Sequence, residues 1–229
     1  MATWSERCYP LRAASSQTII IMNASDPSIV YVIDDDEAGR LAVYKLLRSS
    51  GLRAEIFECT QEFVNFRLFA APSCLLLDVG VNRNGLGFQS EMPALGLKMP
   101  IVFVSCKEDT GACAKAMKAG AVDFLLKPYC EEDLLSSVNR ALELDRQRLA
   151  DEESMSELRA AYGSLSRRER EVMALVVSGM LNKQIASAMC LSEITVKGHR
   201  GMIMKKMKAK SIADLVRKAD ALTVGRSVT

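Results

Sequence analysis

Five residues fall where short apolar runs end, and their types suit one kind of reaction. Asp34 and Asp35 follow Ile29-Val30-Tyr31-Val32-Ile33, and Asp78 follows Cys74-Leu75-Leu76-Leu77. Ser105 follows Ile101-Val102-Phe103-Val104, and Lys127 follows Val122-Asp123-Phe124-Leu125-Leu126. Carboxylates packed together repel one another unless a cation joins them. Mg2+ is the natural cation for an oxygen-only set, because it takes few protein carboxylates and completes its shell with phosphate oxygens. A carboxylate beside such an ion can accept a phosphoryl group as a nucleophile. In that chemistry Asp78 is the acceptor, Asp34 or Asp35 holds the metal, Lys127 pairs with the phosphoryl oxygens, and Ser105 hydrogen-bonds the new phosphate and moves with its strand. Singly, each residue has a plainer reading. An Asp after a strand is usually a turn former or helix cap, which is what Asp36 and Glu37 are expected to be.

The elements that must position these residues are legible in the pattern. With Ala54-Glu55-Ile56-Phe57 there are five short runs, and three of them carry no charge. Uncharged runs of this length fit parallel strands buried on both faces. Helical spacing lies between them, in Leu41, Tyr44 and Leu47 and again in Ala112, Ala116 and Ala119, with Gly120 as the stop. Strands alternating with helices predict an α/β doubly wound, five-stranded parallel sheet of flavodoxin-like type over residues 28–145. In such open sheets ligands bind beyond the carboxyl ends of the strands. The five polar residues therefore converge on one rim if their strands are central neighbours.

The texture changes after Pro128. Residues 131–161 hold charge and Leu without Gly or Pro, and Gly163 follows. This predicts a long helix that closes the first domain and continues as a helical linker over 146–163. From Ser164 no strand pattern appears, and residues 164–222 read as a small all-α domain. Ser166-Arg167-Arg168-Glu169 has the capping-box form. Val172, Leu175 and Val176 face inward on the helix that follows, which Gly179 ends. Ile185, Ala186 and Met189 mark a second helix. Ser192 caps a third, with Val196, His199, Ile203 and Met207 inward, and Ile212, Leu215, Val216 and Ala219 mark a fourth. Two short helices joined by a tight turn, the second one basic, make a helix-turn-helix. Between Ser164 and Lys218 there are twelve Lys and Arg against four acids, although the whole chain of 229 residues carries only +2. Cations at this density suit DNA phosphates. Helical geometry places Ile194, Lys197, Gly198, Gly201 and Lys205 outward on the third helix.

Composition excludes other classes. Hydrophobic residues make up 49% and charged residues 25%, the balance of a soluble globular protein. Seven cysteines without C-x-x-C spacing, and a single His, argue against a disulfide scaffold or a zinc site and for a reducing, cytoplasmic compartment. No run reaches the roughly 18 apolar residues of a membrane span. Residues 1–27 lack the apolar core of a secretory signal. They leave two readings open, a disordered extension or a chain that starts at Met22. Residues 223–229 read as a tail.

Both halves resemble a known family. Val32-Ile33-Asp34-Asp35-Asp36, Leu76-Leu77-Asp78, Val104-Ser105 and Leu126-Lys127-Pro128 resemble the receiver domains of bacterial response regulators. Ala116-Met117-Lys118-Ala119-Gly120-Ala121-Val122-Asp123-Phe124 is similar to the FixJ branch. Leu165-Ser166-Arg167-Arg168-Glu169, Asn182-Lys183-Gln184-Ile185-Ala186, Thr195-Val196-Lys197 and His199-Arg200 resemble the LuxR-type helix-turn-helix of the FixJ and NarL regulators. The resemblance spans about residues 28–220. It implies a two-component transcription regulator and not an enzyme, in which a sensor histidine kinase phosphorylates Asp78 and so controls binding to promoter DNA. It implies a Mg2+ site at Asp34, Asp35, Asp78 and the Gly80 carbonyl, and a switch pair of Ser105 and Phe124. It also implies a homodimer in the active state, RNA polymerase as a further candidate partner, and no membrane partner. DNA contacts are expected from Lys183, Thr195, Lys197, Gly198, Arg200, Gly201, Lys205 and Lys206.

One segment departs from the family. The usual Met-Pro after the acceptor is missing from Val79-Gly80-Val81-Asn82-Arg83-Asn84-Gly85, and Gly85 fits best with one residue deleted. A DNA-binding regulator with a degenerate, phosphate-independent receiver is therefore the alternative. Gly80 and Gly85 have P-loop spacing, but Leu86 stands where Lys is required, which excludes nucleotide binding there. A phosphatase of the haloacid dehalogenase type needs a second Asp where Gly80 stands.

Overall fold

The computed structural model describes residues 20–21, 28–81, 84–106 and 109–224. Cys8, Met22 and most of the expected extension and tail lie outside the described residues. The chain divides into two compact units, Met1–Leu149 and Ala150–Thr229.

The first unit is built on five parallel strands: β1 (Ile29–Ile33), β2 (Arg53–Phe57), β3 (Ser73–Asp78), β4 (Ile101–Ser105) and β5 (Asp123–Leu126), in the order β2-β1-β3-β4-β5. The helices are α1 (Glu37–Ser49), α2 (Thr60–Asn65), α3 (Gly85–Glu91), α4 (Thr110–Lys118) and the long α5 (Glu131–Gly163). Successive strand residues point to opposite faces, so the sheet builds two cores. Tyr31, Ile33, Leu75, Leu77 and Phe103 pack with Phe63, Phe88 and Ala116 from α2, α3 and α4. Val30, Val32, Leu76, Val102 and Val104 pack with Val43 and Leu47 of α1 and with Leu134, Val138 and Ala141 of α5. Each fully buried Leu, Ile or Val stabilises by about 1.5–3 kcal/mol relative to exposure. This double burial explains why β1, β3 and β4 read as uncharged runs.

Helix ends follow the local chemistry. Asp36 caps α1, its carboxylate accepting from Gly39 N at 3.0 Å, and Glu37 sits in the first turn as expected. Gly120 ends α4 at φ +91°. Two expected rows differ. On α1 the buried pair is Val43 and Leu47, whereas Leu41 is exposed, because an i, i+4 pair tracks the 3.6-residue turn better than a row spaced by three. On α4 Ala112 and Ala116 are buried, but Ala119 is the exposed cap. A further difference falls within the expected disordered extension. Ile20–Ile21 pairs in parallel with Phe69–Ala70.

The acids of the first turn, Glu131, Glu132 and Asp133, favour the start of α5. Its later residues are not simply a linker. Leu158, Ala161 and Tyr162 pack against the core of the second unit, so the boundary between units falls inside the helix. That unit adds α6 (Arg167–Val177), α7 (Asn182–Met189), α8 (Glu193–Lys206) and α9 (Ile212–Val224). Val172, Val176, Ile185, Val196, Ile203, Met207 and Leu215 are buried at its centre. The capping box of Ser166 and Glu169 is formed, and Ser192 caps α8 through Thr195 N at 3.1 Å. Ile212, expected inward, is exposed, since it is the first residue of α9 and stands at the edge of the core. Among the described residues the cysteines are free thiols.

Candidate functional site

The parallel register brings the polar residues together. Ile33 pairs with Leu77, Asp78 with Val104 and Ser105 with Leu126, so β1, β3, β4 and β5 end at one rim. Asp34, Asp78 and Ser105 are buried there, at 5%, 7% and 6% exposure. Lys127 spans the pocket. Its Nζ donates to Asp34 Oδ2 and to Asp78 Oδ2, both at 2.7 Å. The Lys127–Pro128 peptide is cis, and Lys127 N donates to Ser105 O at 2.8 Å. Burial works against the ammonium's charge, but its hydrogen bonds to Asp34 and Asp78 outweigh it and raise the Lys127 pKa above its ordinary value. Lys127 is therefore a fixed cation between two carboxylates.

The other oxygens are also engaged. Asp34 Oδ1 accepts from Asp36 N at 2.9 Å, and Asp78 Oδ1 accepts from Gly80 N at 2.6 Å. Arg40 of α1 donates to the Asp34 carbonyl, a contact that strand-end reasoning did not anticipate. Asp35 is exposed to solvent. Phe124 is half-buried and packs on Phe103, with ring centroids 6.3 Å apart. The shortened loop is held by close backbone approach. A Cβ on Gly85 would stand 2.6 Å from the Asp78 carbonyl oxygen and 2.9 Å from that of Val79, so only glycine fits. Val81 is fully buried.

A second contact acts on the same strand from its far end. Asp145 of α5 is fully buried and accepts from Ser73 N at 2.8 Å, while Arg148 Nε donates to its other oxygen at 2.8 Å. Its only trace in the sequence is an acid on the inward face of a helix.

On the second unit, Lys183, Lys197 and Arg200 line one shallow concavity with Leu181, Asn182 and Glu193. Lys197, Gly198, Gly201 and Lys205 lie exposed on α8. Thr195 is exposed, and its hydroxyl is 2.8 Å from that of Ser192. His199 and Arg200 are half-buried. Several other cations are committed within the unit. Arg167 and Arg168 pair with Glu171, and Arg217 and Lys218 pair with Asp214. Lys206 donates to Glu169 at 2.7 Å and to the Ser164 carbonyl at 3.1 Å. The Lys206 bond, helped by the amide and hydroxyl of Ser166, lowers the pKa of Glu169 to about 2.

Comparison with known proteins agrees with both halves. Residues 30–139 match the response regulator receiver domain family, and residues 163–219 match the LuxR family of bacterial regulatory proteins. Response regulator protein TmoT of Ectopseudomonas mendocina is 45% identical over 196 residues, covering 85% of this chain and 89% of that protein. Transcriptional regulatory protein FixJ of Rhizobium meliloti is 33% identical over 199 residues, covering 86% of this chain and 98% of that one. The solved structure of response regulator StyR superposes with a TM-score of 0.77 at 36% identity, over 85% of this chain and 99% of StyR. The chain belongs to the two-component response regulators, with a receiver domain followed by a LuxR-type DNA-binding domain.

Proposed function

We propose that Asp78 is the phosphoacceptor of this regulator and that its phosphorylation controls DNA binding by α8. The observation that carries the reading is the bridge from Lys127 to both Asp34 and Asp78. It sets the acceptor, a cation and a second carboxylate on one rim. In the reaction a carboxylate oxygen of Asp78 attacks phosphorus, the bond from phosphorus to the donor breaks, and an acyl phosphate forms. Lys127 then pairs with phosphoryl oxygens, Gly80 N–H holds the carboxyl group, and Ser105 and Phe124 answer the new charge. A sensor histidine kinase is the donor.

Receiver domains generally bind Mg2+ at the phosphorylation site, and the donor set here suits it, being oxygen only. Asp34, Asp78 and the Gly80 carbonyl would hold the ion, with Asp35 on the solvent side. Bound there, Mg2+ would offset the negative charge of the incoming group. Among the described residues no cluster of three acidic, His or Cys side chains stands ready for a metal. Lys127 lies between Asp34 and Asp78 and pairs with both.

On DNA, α8 enters the major groove. Lys197 faces the base edges, and Lys183, Arg200 and Lys205 meet phosphates. Thr195, Gly198 and Gly201 lie along the contact. Lys206, expected to be a phosphate contact, is better assigned to the fold through Glu169. The active form is a homodimer on promoter DNA, RNA polymerase is a further partner, and the compartment is the cytoplasm. Among the described residues no helix is long and apolar enough to cross a membrane.

The test is intact-mass analysis after incubation with Mg2+ and acetyl phosphate. One phosphoryl group is expected on the native chain and none on Asp78→Asn. Equal labelling of both would overturn the assignment. For DNA, Lys197→Ala should relax discrimination between a matched and a scrambled site by about 1–3 kcal/mol.

A further inference from the structure

The outward line of α8 is unusual in what it presents. The buried residues Val196, Ile203 and Met207 fix the inward direction. At 100° per residue, the opposite face is Ile194, Gly198, Gly201 and Lys205. A Cβ added at Gly198 or Gly201 would meet nothing within 4 Å, so neither glycine is required by packing inside the unit. Glycine in a helix interior costs about 1 kcal/mol relative to Ala. The middle of the face is therefore bare backbone, and the side chain at its N-terminal end is Ile194.

Ile194 is 85% exposed, the highest value among the exposed large hydrophobic residues described. A single surface Ile often needs no explanation, but this one stands one turn from Lys197. Leu181, the next most exposed at 69%, lines the concavity with Lys183, Lys197 and Arg200. Helix stability does not call for Ile194, since a β-branched side chain is a weak helix former. Two apolar side chains beside free cations suit a surface that meets phosphates at its rim and an apolar group at its centre. In the major groove the apolar feature is the C5-methyl of thymine.

We propose that Ile194 reads a thymine in the bound site through its C5-methyl group, and that Gly198 and Gly201 let the α8 backbone approach closely enough for this contact. The inference rests on the assignment of α8 as the recognition helix. It predicts a thymine preference at a step adjacent to the base read by Lys197.

The experiment uses the full-length chain, treated with Mg2+ and acetyl phosphate, and a duplex selected by that chain from a random library. Each thymine is replaced in turn by uracil, which keeps the pairing and removes only the methyl. At one position the native chain should bind about three- to five-fold more weakly, the worth of one buried methyl. Ile194→Ala should bind the thymine duplex more weakly by a similar or larger factor and should not respond to uracil at that position. Because Ile194 is exposed, its Tm should be unchanged. Lys197→Ala separates the two levels of the argument. If Lys197→Ala relaxes specificity but no uracil position matters, or Ile194→Ala keeps the full uracil effect, the methyl contact is overturned while the recognition helix stands. If the chain selects no sequence, or neither variant changes the ratio of selected to scrambled binding, the assignment of α8 falls and the methyl contact falls with it.

Discussion

Glu169 and Lys206, 37 residues apart in sequence, meet at 2.7 Å and join the start of α6 to the end of α8. The same carboxylate accepts from Ser166 N at 2.6 Å, so it closes a capping box and an ion pair together.

This contact makes Lys206→Ala a stability variant. The pKa of Glu169 is depressed from 4.5 to about 2, so its contribution is present above about pH 4.5 and is lost as pH falls toward 2. Lys206→Ala should lower Tm at neutral pH and flatten the dependence of Tm on pH across that window. Its DNA affinity should keep the native salt slope, whereas Lys183→Ala or Arg200→Ala should reduce the slope by about one. Thermal melts across pH and salt-titrated DNA binding check both halves. A native Tm with a reduced salt slope would return Lys206 to the DNA surface.

Removing Lys127 should uncouple metal binding from phosphorylation. The ammonium holds the space between Asp34 and Asp78. Lys127→Ala leaves two carboxylates without their cation, and Mg2+ should then bind at least about ten-fold more tightly, since unit charges about 4 Å apart interact by about 1 kcal/mol in water and about 4 kcal/mol near a protein surface. Labelling by acetyl phosphate should fall at the same time. Calorimetric Mg2+ titration reads the first effect and intact mass the second. Weaker Mg2+ binding by the variant would contradict the geometry.

Gly85→Ala should damage the acceptor site from behind. The new Cβ meets backbone oxygen of Asp78 at 2.6 Å, which cannot swing aside as a flexible side chain would. A loss of about 1–3 kcal/mol is expected, together with slower labelling of Asp78. Chemical denaturation and labelling kinetics measure these. Unchanged values in both would show that the shortened loop does not depend on glycine at this position.

The turn between α7 and α8 carries removable strain. Cys190 adopts φ +55°, in the left-handed region where an L side chain costs roughly 1–2 kcal/mol. Part of that gain is lost to the greater unfolded freedom of glycine, so Cys190→Gly should stabilise the unit by about 0.5–1 kcal/mol. A higher denaturation midpoint with unchanged slope is the expected result, and a lower midpoint would show that the thiol contributes packing.

The parallel sheet was legible because burial on both faces removes charge from β1, β3 and β4, and because the strand-end polar residues have no place in such a core. Asp34, Asp78, Ser105 and Lys127 came together as the pattern implied, but Asp35 did not join them and faces solvent. Contacts between residues far apart in sequence were not legible. Nothing local to Lys206 distinguishes it from Lys205, yet a turn of 100° sends one to Glu169 and the other to solvent. Asp145 was equally silent about β3, because its partner there is the backbone amide of Ser73, and every residue but proline has one. Ile20–Ile21 is not legible as a strand because two residues have no period.

The strand that ends in Asp78 begins at Ser73, whose amide is fastened by Asp145, while Lys127 grips the carboxylate at its other end. Such a strand behaves like a beam clamped at both supports. It would give the proposed acceptor a fixed datum, against which Ser105 at the end of the adjoining β4 and Phe124 on β5 would register a change. A lesion at Asp145 would loosen the remote clamp and blur where Asp78 stands, although Asp145 touches neither Asp78 nor Lys127.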